Sequence, residues 1–209
     1  VIEKGAFISS YETAKNVTLV NNNIHSFPME ELFSFTNITR LDLSLNPLDA
    51  IDANQFQNLE TLEYIFLYNV TSNISGTFQN LPNLKELHLE VNNLNHIPSG
   101  FCKTGSPTIE LVGLMSNDIT NILPDTFDAV NGLGIFLEDN SLSSIEEATW
   151  RPLLEAGVFL GAYFNPLDCG CEIAWMLQEG SQDMLNHVTA ICSDGQNIHS
   201  LDPSNYEEC

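Results

Sequence analysis

Basic residues are scarce in this chain of 209 residues, which has 6 Lys and Arg against 28 Asp and Glu and a formal net charge of −22. This charge repels phosphate backbones and anionic lipid headgroups, so it argues against binding to nucleic acid or to a membrane surface. No apolar run approaches the roughly 18–20 residues of a membrane span, which predicts no membrane insertion by this chain. The chain starts with Val1 rather than Met, which indicates a processed or trimmed product. A hydrophobic fraction of 43% is nevertheless ample for a folded core.

Short signatures of common enzymes are also missing. The sequence contains no G-x-S-x-G nucleophile elbow, no H-E-x-x-H zinc motif and no G-x-x-x-x-G-K phosphate loop. The five histidines are dispersed along the chain rather than clustered. These absences predict a protein that is not an enzyme and that has no catalytic residues, no cofactor and no metal.

What the chain does contain is a repeated phrase of the type L-x-x-L-x-L-x-x-N-x-L. About seven copies recur at intervals of roughly 22–25 residues, which is typical of leucine-rich repeats. The asparagines of the regular copies are Asn22, Asn46, Asn92, Asn117, Asn140 and Asn165. One irregular copy, which contains Leu62, Ile65 and Leu67, lacks the asparagine in register.

Each copy is predicted to form one coil of a solenoid. A short strand points aliphatic side chains inward, the asparagine satisfies backbone groups at the turn, and neighbouring coils bury each other's apolar faces. The aromatic residues that follow the asparagines by about ten positions would stack on the convex side; they are Phe56, Phe78, Phe101, Phe127 and Trp150. The predicted fold class is an α/β leucine-rich-repeat solenoid, with a curved parallel β-sheet on the concave side and irregular or 3₁₀ returns on the convex side.

The first residues fit the convex half of an earlier coil. Ile2 and Phe7 have the same spacing as Ile145 and Trp150. We therefore expect residues 1–164 to hold the repeats, with the first coil partial and the N-terminal cap missing. A simple local cap is the alternative.

The end of the chain carries a second pattern. Residues 165–175 read N-P-x-x-C-x-C-x-x-x-W, and Cys192 and Cys209 follow. Spacing alone leaves three disulfide connectivities open, and a metal site is disfavoured because no further Cys or His pair completes four ligands. The pattern resembles the cysteine-rich C-terminal cap of extracellular leucine-rich-repeat proteins. The resemblance implies a cap over residues 165–209 with the bonds Cys169–Cys192 and Cys171–Cys209. It also implies that Ile173 and Trp175 cover the last coil from a short helix at about 171–179.

The cap is also similar to that of a group of secreted arthropod leucine-rich-repeat proteins, which includes the non-catalytic subunit of a shrimp luciferase. The segments that carry this resemblance are Cys169–Cys171, Ile173–Trp175, Cys192–Gly195, Leu201–Pro203 and Tyr206–Cys209. The resemblance implies an accessory role beside a catalytic chain, and hence a hetero-oligomer.

Two disulfides imply an oxidising compartment, so we expect a secreted, extracellular protein. Compatible with this are the N-glycosylation sequons at Asn16, Asn37, Asn69 and Asn73. The remaining cysteine, Cys102, follows a convex aromatic and is predicted to be a buried thiol. Pairing with a missing segment or with another chain is the alternative.

The outward strand positions are unusually aromatic and acidic. In the predicted register a central column reads Phe66, His88, Gly113, Phe136, Gly161, and an outer column reads Tyr68, Glu90, Met115, Glu138, Tyr163. Such a face is typical of a protein-binding surface with aromatic anchors and an acidic rim. The predicted partner-binding residues are Tyr64, Phe66, Tyr68, His88, Glu90, Met115, Phe136, Glu138, Phe159 and Tyr163. Simple cross-strand packing of the aromatics is the alternative. A calcium site is disfavoured because the carboxylates fall on strands rather than in a tight loop.

The sequence thus predicts a secreted, non-enzymatic recognition or scaffold module for a protein partner. Because opposite potentials steer association, we expect that partner to carry a basic patch. The ectodomain of a cell-surface receptor remains an alternative, as does a protein that binds or transforms a small apolar ligand.

Overall fold

The computed structural model describes residues 2–26, 29–71, 73–178 and 182–209. In this part of the chain, short strands alternate with irregular returns. The strands are β1 (Asn16–Thr18), β2 (Arg40–Asp42), β3 (Ile51–Asp52), β4 (Tyr64–Phe66), β5 (Ile74–Ser75), β6 (Glu86–His88), β7 (Leu111–Gly113), β8 (Gly134–Phe136), β9 (Phe159–Gly161) and β10 (Val188–Thr189). The helices are α1 (Met29–Leu32), α2 (Glu147–Glu155), α3 (Ala174–Leu177) and α4 (Gln182–Leu185). The 3₁₀ segments are Ile8–Ser10, Ala53–Asn58, Cys171–Ile173, Ile198–Ser200 and Pro203–Tyr206.

One parallel sheet runs through all the coils in the order β1-β2-β4-β6-β7-β8-β9-β10. A separate small sheet pairs β3 with β5. The middle residues of the main strands face the core because side chains alternate between the two faces of a strand. These buried residues are Val17, Leu41, Ile65, Leu87, Val112, Ile135 and Leu160. The predicted leucine-rich-repeat solenoid with a parallel sheet is confirmed.

An asparagine ladder, consisting of Asn46, Asn92, Asn117, Asn140 and Asn165, connects consecutive coils. Asn92 is 2% exposed, and its Nδ2 donates to the Leu67 carbonyl of the preceding coil at 2.8 Å and to the Leu89 carbonyl of its own coil at 2.9 Å. Its Oδ1 accepts the backbone N–H of Val70 at 2.7 Å. The other ladder side chains are also buried and make the same three kinds of bond. In the irregular coil Val70 replaces the asparagine.

The residue before each ladder position has a left-handed backbone. These residues are Leu45, Asn69, Val91, Ser116, Asp139 and Phe164, with φ between 48° and 59°. This conformation costs a residue other than glycine about 1–2 kcal/mol. It recurs also in the irregular coil, where Val70 replaces the asparagine, so this turn forms even without the ladder side chain.

On the convex side, buried aromatic rings pack from coil to coil. The ring centroids of Phe56 and Phe78 are 5.3 Å apart, and those of Phe78 and Phe101 are 5.4 Å apart. Phe35, which was not in the predicted series, is also buried and lies 6.0 Å from Phe7. The sequence separation between Asn22 and Phe35 is longer than that between the asparagine and the convex aromatic of the other coils, because this return contains α1.

The last return differs from the predicted irregular or 3₁₀ form, since α2 is a regular helix of nine residues. Arg151 lies one helical turn from Glu147 and from Glu155, and its Nε is 2.8 Å from the Glu147 carboxylate. Pairs with this spacing favour the α conformation.

The cap continues the sheet and closes the core. β10 pairs with β9, and the structure contains the disulfides Cys169–Cys192 and Cys171–Cys209 that the resemblance implies. Trp175 is 5% exposed, and its Nε1 donates to the Ile145 carbonyl at 3.2 Å. The predicted helix at 171–179 is a 3₁₀ turn followed by α3, which ends where Gln178 becomes extended. Residue 179 lies outside the described residues.

Candidate functional site

The structure brings the predicted concave residues together in the expected register. Backbone pairing aligns Phe66, His88, Gly113, Phe136 and Gly161 in the central column. The residues of the outer column lie just past the strands, and backbone hydrogen bonds that link each coil to the next place them side by side. Tyr64 and Phe159 lie on the other side of the central column, two residues before Phe66 and Gly161 on the same strands.

Three flat groups stack across β2, β4 and β6. The guanidinium carbon of Arg40 lies 4.0 Å from the ring centroid of Phe66. On the next strand, the imidazole of His88 is 4.5 Å from the same centroid, with the two planes inclined by only 10°. Arg40 was not among the predicted site residues, although its register opposite Tyr64 on the neighbouring strand could have placed it beside this surface.

His88 is held between two carboxylates. Its Nδ1 is 2.9 Å from Glu90 Oε1, and its Nε2 is 3.1 Å from Glu86 Oε2. Burial alone would lower the pKa of His88, but its hydrogen bonds to Glu90 and Glu86 outweigh this and raise the pKa above 6.5. The site therefore favours a positively charged imidazole. The sequence analysis did not include Glu86 among the site residues, because its contact with His88 depends on side-chain conformations that only the structure shows.

Tyr64 has cations on both sides. Arg40 lies 6.0 Å from its ring centroid, and the Lys85 ammonium lies 5.7 Å from it. Lys85 also pairs with Glu63 at 2.7 Å. At this end of the surface, the chain's own Lys85 already neutralises the Glu63 carboxylate.

A shallow depression of about 470 Å³ opens beside Glu90, between Tyr68 and Met115. The residues around it are Phe66, Tyr68, His88, Glu90, Val91, Met115 and Ser116. Tyr68 is 41% exposed and Met115 is 37% exposed, whereas Glu90 is only 8% exposed. Glu90 is covered because its side chain lies flat over Gly113, where an added Cβ would be 2.8 Å from the Glu90 carboxyl carbon.

The same arrangement recurs two coils later with different neighbours. Glu138 lies over Gly161, where an added Cβ would be 2.9 Å from the Glu138 carboxyl carbon and 3.0 Å from Phe136 Cδ1. Phe136 and Phe159 have their ring centroids 6.2 Å apart, and Tyr163 packs against the exposed ring of Phe164 at 6.3 Å.

Glu138 differs from Glu90 in lacking a cation. Its Oε2 is buried and has no hydrogen-bond partner among the described residues. Removal from water raises the pKa of Glu138, and only its own backbone N–H opposes this.

Other predicted positions are distributed over the surface and the interior. The four sequon asparagines, Asn16, Asn37, Asn69 and Asn73, are exposed. Cys102, which follows Phe101 in the sequence, was predicted to be a buried thiol. In the structure it is a free cysteine and is 1% exposed. Burial raises the pKa of the Cys102 thiol well above its usual range, and the nearby Asp128 carboxylate adds to the effect.

Two negative findings concern only the described part of the chain. There, no group of three or more His, Cys, Asp or Glu side chains is arranged to hold a metal ion. None of the helices in these residue ranges is long and apolar enough to cross a membrane.

Comparisons with known proteins agree with this architecture. Residues 12–69 match the family model described as "Leucine rich repeat". The chain is 28% identical to the Oplophorus-luciferin 2-monooxygenase non-catalytic subunit of Oplophorus gracilirostris over 97% of its own length, and it spans 63% of the length of that subunit.

Two solved structures show the same fold at low sequence identity. A chain in the crystal structure of a TLR13–ssRNA13 complex superposes with a TM-score of 0.69 at 21% identity, covering 90% of this chain and 26% of that one. A chain in the octameric complex of Latrophilin 3, Unc5D and FLRT2 superposes with a TM-score of 0.62 at 20% identity, covering 93% of this chain and 76% of that one. The chain therefore has the leucine-rich-repeat solenoid fold with a disulfide-bonded C-terminal cap, and it is similar in sequence to the Oplophorus-luciferin 2-monooxygenase non-catalytic subunit.

Proposed function

We propose that the chain is a secreted, non-enzymatic recognition module that binds a protein partner through its concave face, as an accessory component of a complex. The observation that carries the proposal is the depression lined by Tyr68 and Met115, where both side chains stay exposed just past the ends of β4 and β7. Large, exposed and preorganised side chains of this kind supply much of the binding energy at protein interfaces.

Cross-strand packing alone does not account for this surface. Packing explains Phe66, whose ring is covered by Arg40 and His88. It does not explain Tyr68 and Met115, which remain more than a third exposed. These two side chains are therefore the anchors that we assign to a partner.

A binding role fits the contacts of the histidine on this surface better than a catalytic role. Among the described residues, His88 hydrogen bonds to Glu90 and Glu86, so it activates no hydroxyl or thiol there. The similarity to a subunit named as non-catalytic supports the same reading.

Secretion is supported by the two disulfides, because such bonds persist in oxidising compartments. We also propose that the exposed sequon asparagines are glycosylated. The division at 164/165 into repeats and cap, with an incomplete first coil, stays a prediction.

Capture of the partner tests the proposal. The immobilised chain is incubated with extracellular fluid of the source organism, and bound proteins are identified by mass spectrometry. The double variant Tyr68→Ala/Met115→Ala should lose the specifically bound protein, since truncating each anchor removes about 1–2 kcal/mol of binding energy. A matched control, Gln79→Ala/Asn121→Ala, changes exposed residues outside the concave columns and should retain it.

The control variant should melt at the temperature of the unmodified chain, and the concave variant only slightly below it, because Tyr68 and Met115 are partly covered at 41% and 37% exposure. Equal capture by the two double variants would place the partner site elsewhere. A large drop in melting temperature for the concave variant would instead favour a packing role for Tyr68 and Met115.

A further inference from the structure

The concave face contains the same structural unit twice, and the two copies differ in charge. In the first copy Glu90 lies over Gly113, and in the second Glu138 lies over Gly161. Strand register places His88 and Phe136 at equivalent positions, each two residues before its glutamate. The second copy therefore has a phenylalanine at the position where the first copy has a histidine, and it lacks the cation that the histidine provides.

The second carboxylate finds no replacement for that cation. In the described chain, no Lys, Arg or His side chain lies within ion-pair distance of Glu138. The nearest basic residue in sequence, Arg151, is engaged by Glu147 and Glu155 on α2. Within the described ranges, Glu138 Oε2 is buried without a hydrogen bond, which is unfavourable for a carboxylate.

Resting on the proposed function, we infer that Glu138 and the adjacent ring of Phe136 form the receptor site for one arginine side chain of the protein partner. A guanidinium at this site would pair with the carboxylate and lie against the ring. Arginine suits such a site because its planar group stacks on aromatic rings and can bind both carboxylate oxygens.

The chain itself contains one half of the proposed geometry, the contact between a guanidinium and a ring, at another position. Arg40 lies over Phe66 at 4.0 Å, in the same central column to which Phe136 belongs. At Glu138 the corresponding cation would come from outside. The carboxylate can reorient toward such a donor without backbone movement, because the terminal torsion of glutamate is broad. The formal net charge of −22 also favours a basic segment over an acidic or neutral one.

A titration of the isolated chain tests the inference without the partner. The probe is N-acetyl-arginine amide, and its neutral near-isostere N-acetyl-citrulline amide is the control ligand. Binding is followed by NMR through the side-chain carboxyl carbon of Glu138 and the methyl group of Met115, which adjoins Glu138 in the outer column. We expect saturable shifts with the arginine probe at a Kd on the order of ten millimolar, because a single charge-assisted contact gives only weak binding. The citrulline probe should bind at least tenfold more weakly.

Two matched variants separate this site from its neighbour. Glu138→Gln should weaken arginine binding at least tenfold, whereas Glu90→Gln, which changes a carboxylate already paired with His88, should leave it within twofold. Glu138→Gln should also raise the melting temperature, because it removes an uncompensated charge from a half-buried position. Equal binding of the two probes, or full binding by Glu138→Gln, would overturn the inference.

Failure of this inference is distinguishable from failure of the proposed function. Loss of arginine binding with intact capture through Tyr68 and Met115 would remove only the assigned arginine site. Arginine binding without any captured protein would instead leave the site standing and contradict the partner-binding function.

Discussion

Replacement of Asn92 by alanine tests whether the asparagine ladder holds the coils together. Asn92 is 2% exposed, and its side chain makes four hydrogen bonds to backbone groups. Its Nδ2 donates to Leu67 and Leu89 at 2.8 and 2.9 Å, and its Oδ1 accepts from Val70 and Thr71 at 2.7 and 3.1 Å. Alanine would leave these backbone groups buried without partners.

The expected loss follows from those bonds. A net contribution of about 1 kcal/mol for each hydrogen bond gives a destabilisation of roughly 3–4 kcal/mol, with the buried unpaired groups accounting for the upper end. This is a large share of the roughly 5–15 kcal/mol that separates a typical folded domain from its unfolded state.

Asn22→Ala is the matched control. The side chain of Asn22 is exposed and donates only within its own coil, to the Leu19 and Val20 carbonyls at 2.9 and 3.1 Å. Water can replace these contacts, so the loss should stay below about 1 kcal/mol. Urea unfolding with intact disulfides, followed by far-UV circular dichroism, gives both free energies. A difference of less than about 1 kcal/mol between the two variants would refute the role assigned to the ladder.

Three further predictions concern the histidine, the free thiol and the cap. Because Glu90 and Glu86 outweigh burial and raise the pKa of His88 above 6.5, the folded chain binds this proton more tightly than the unfolded chain. The resulting stabilisation is complete below the unfolded pKa and is lost as the pH rises through the folded pKa. Melting temperatures between about pH 5 and 9 should therefore fall less steeply for His88→Gln, and parallel curves would contradict the assignment. Cys102 should not react with a thiol reagent in the folded chain and should react once after denaturation, since its thiol is 1% exposed; fast native labelling would show that it is accessible. The variant Cys171→Ser/Cys209→Ser should be about 4 kcal/mol less stable in urea, because the bond closes a separation of 38 residues; an unchanged midpoint would count against that contribution.

Sequence spacing was sufficient to predict the main parallel sheet of this protein. The ladder asparagines fix the phase of each coil, so the inward residues and the two concave columns could be assigned before any coordinates. Phe35 was not predicted as a convex aromatic because α1 lengthens the return that contains it. The helix α2 was not predicted because the repeat pattern says little about convex segments. The pairing of β3 with β5 involves only two residues of each strand and had no periodic signal.

The side-chain chemistry of the surface was only partly predictable. Spacing placed His88, Glu90 and Glu138 on one face, but it could not show that Glu90 would be paired and Glu138 unpaired. That difference depends on rotamers and on the residue two positions before each glutamate, which is His88 in one copy and Phe136 in the other. The position of Arg40 over Phe66 was accessible in principle, since the two residues lie on adjacent strands in known register.

The asparagine ladder gives the solenoid a direction. Each ladder amide reaches back to the preceding coil, as Asn165 does to the Leu137 carbonyl and the Leu142 N–H. Deleting the coil that carries Asn165 would leave the Leu137 carbonyl and the Leu142 N–H without this partner, whereas deleting the coil before it would leave the Asn165 amide without these two groups. Shortened versions of this protein should therefore differ in what the cut newly exposes to water, main-chain groups at one end and a side-chain amide at the other.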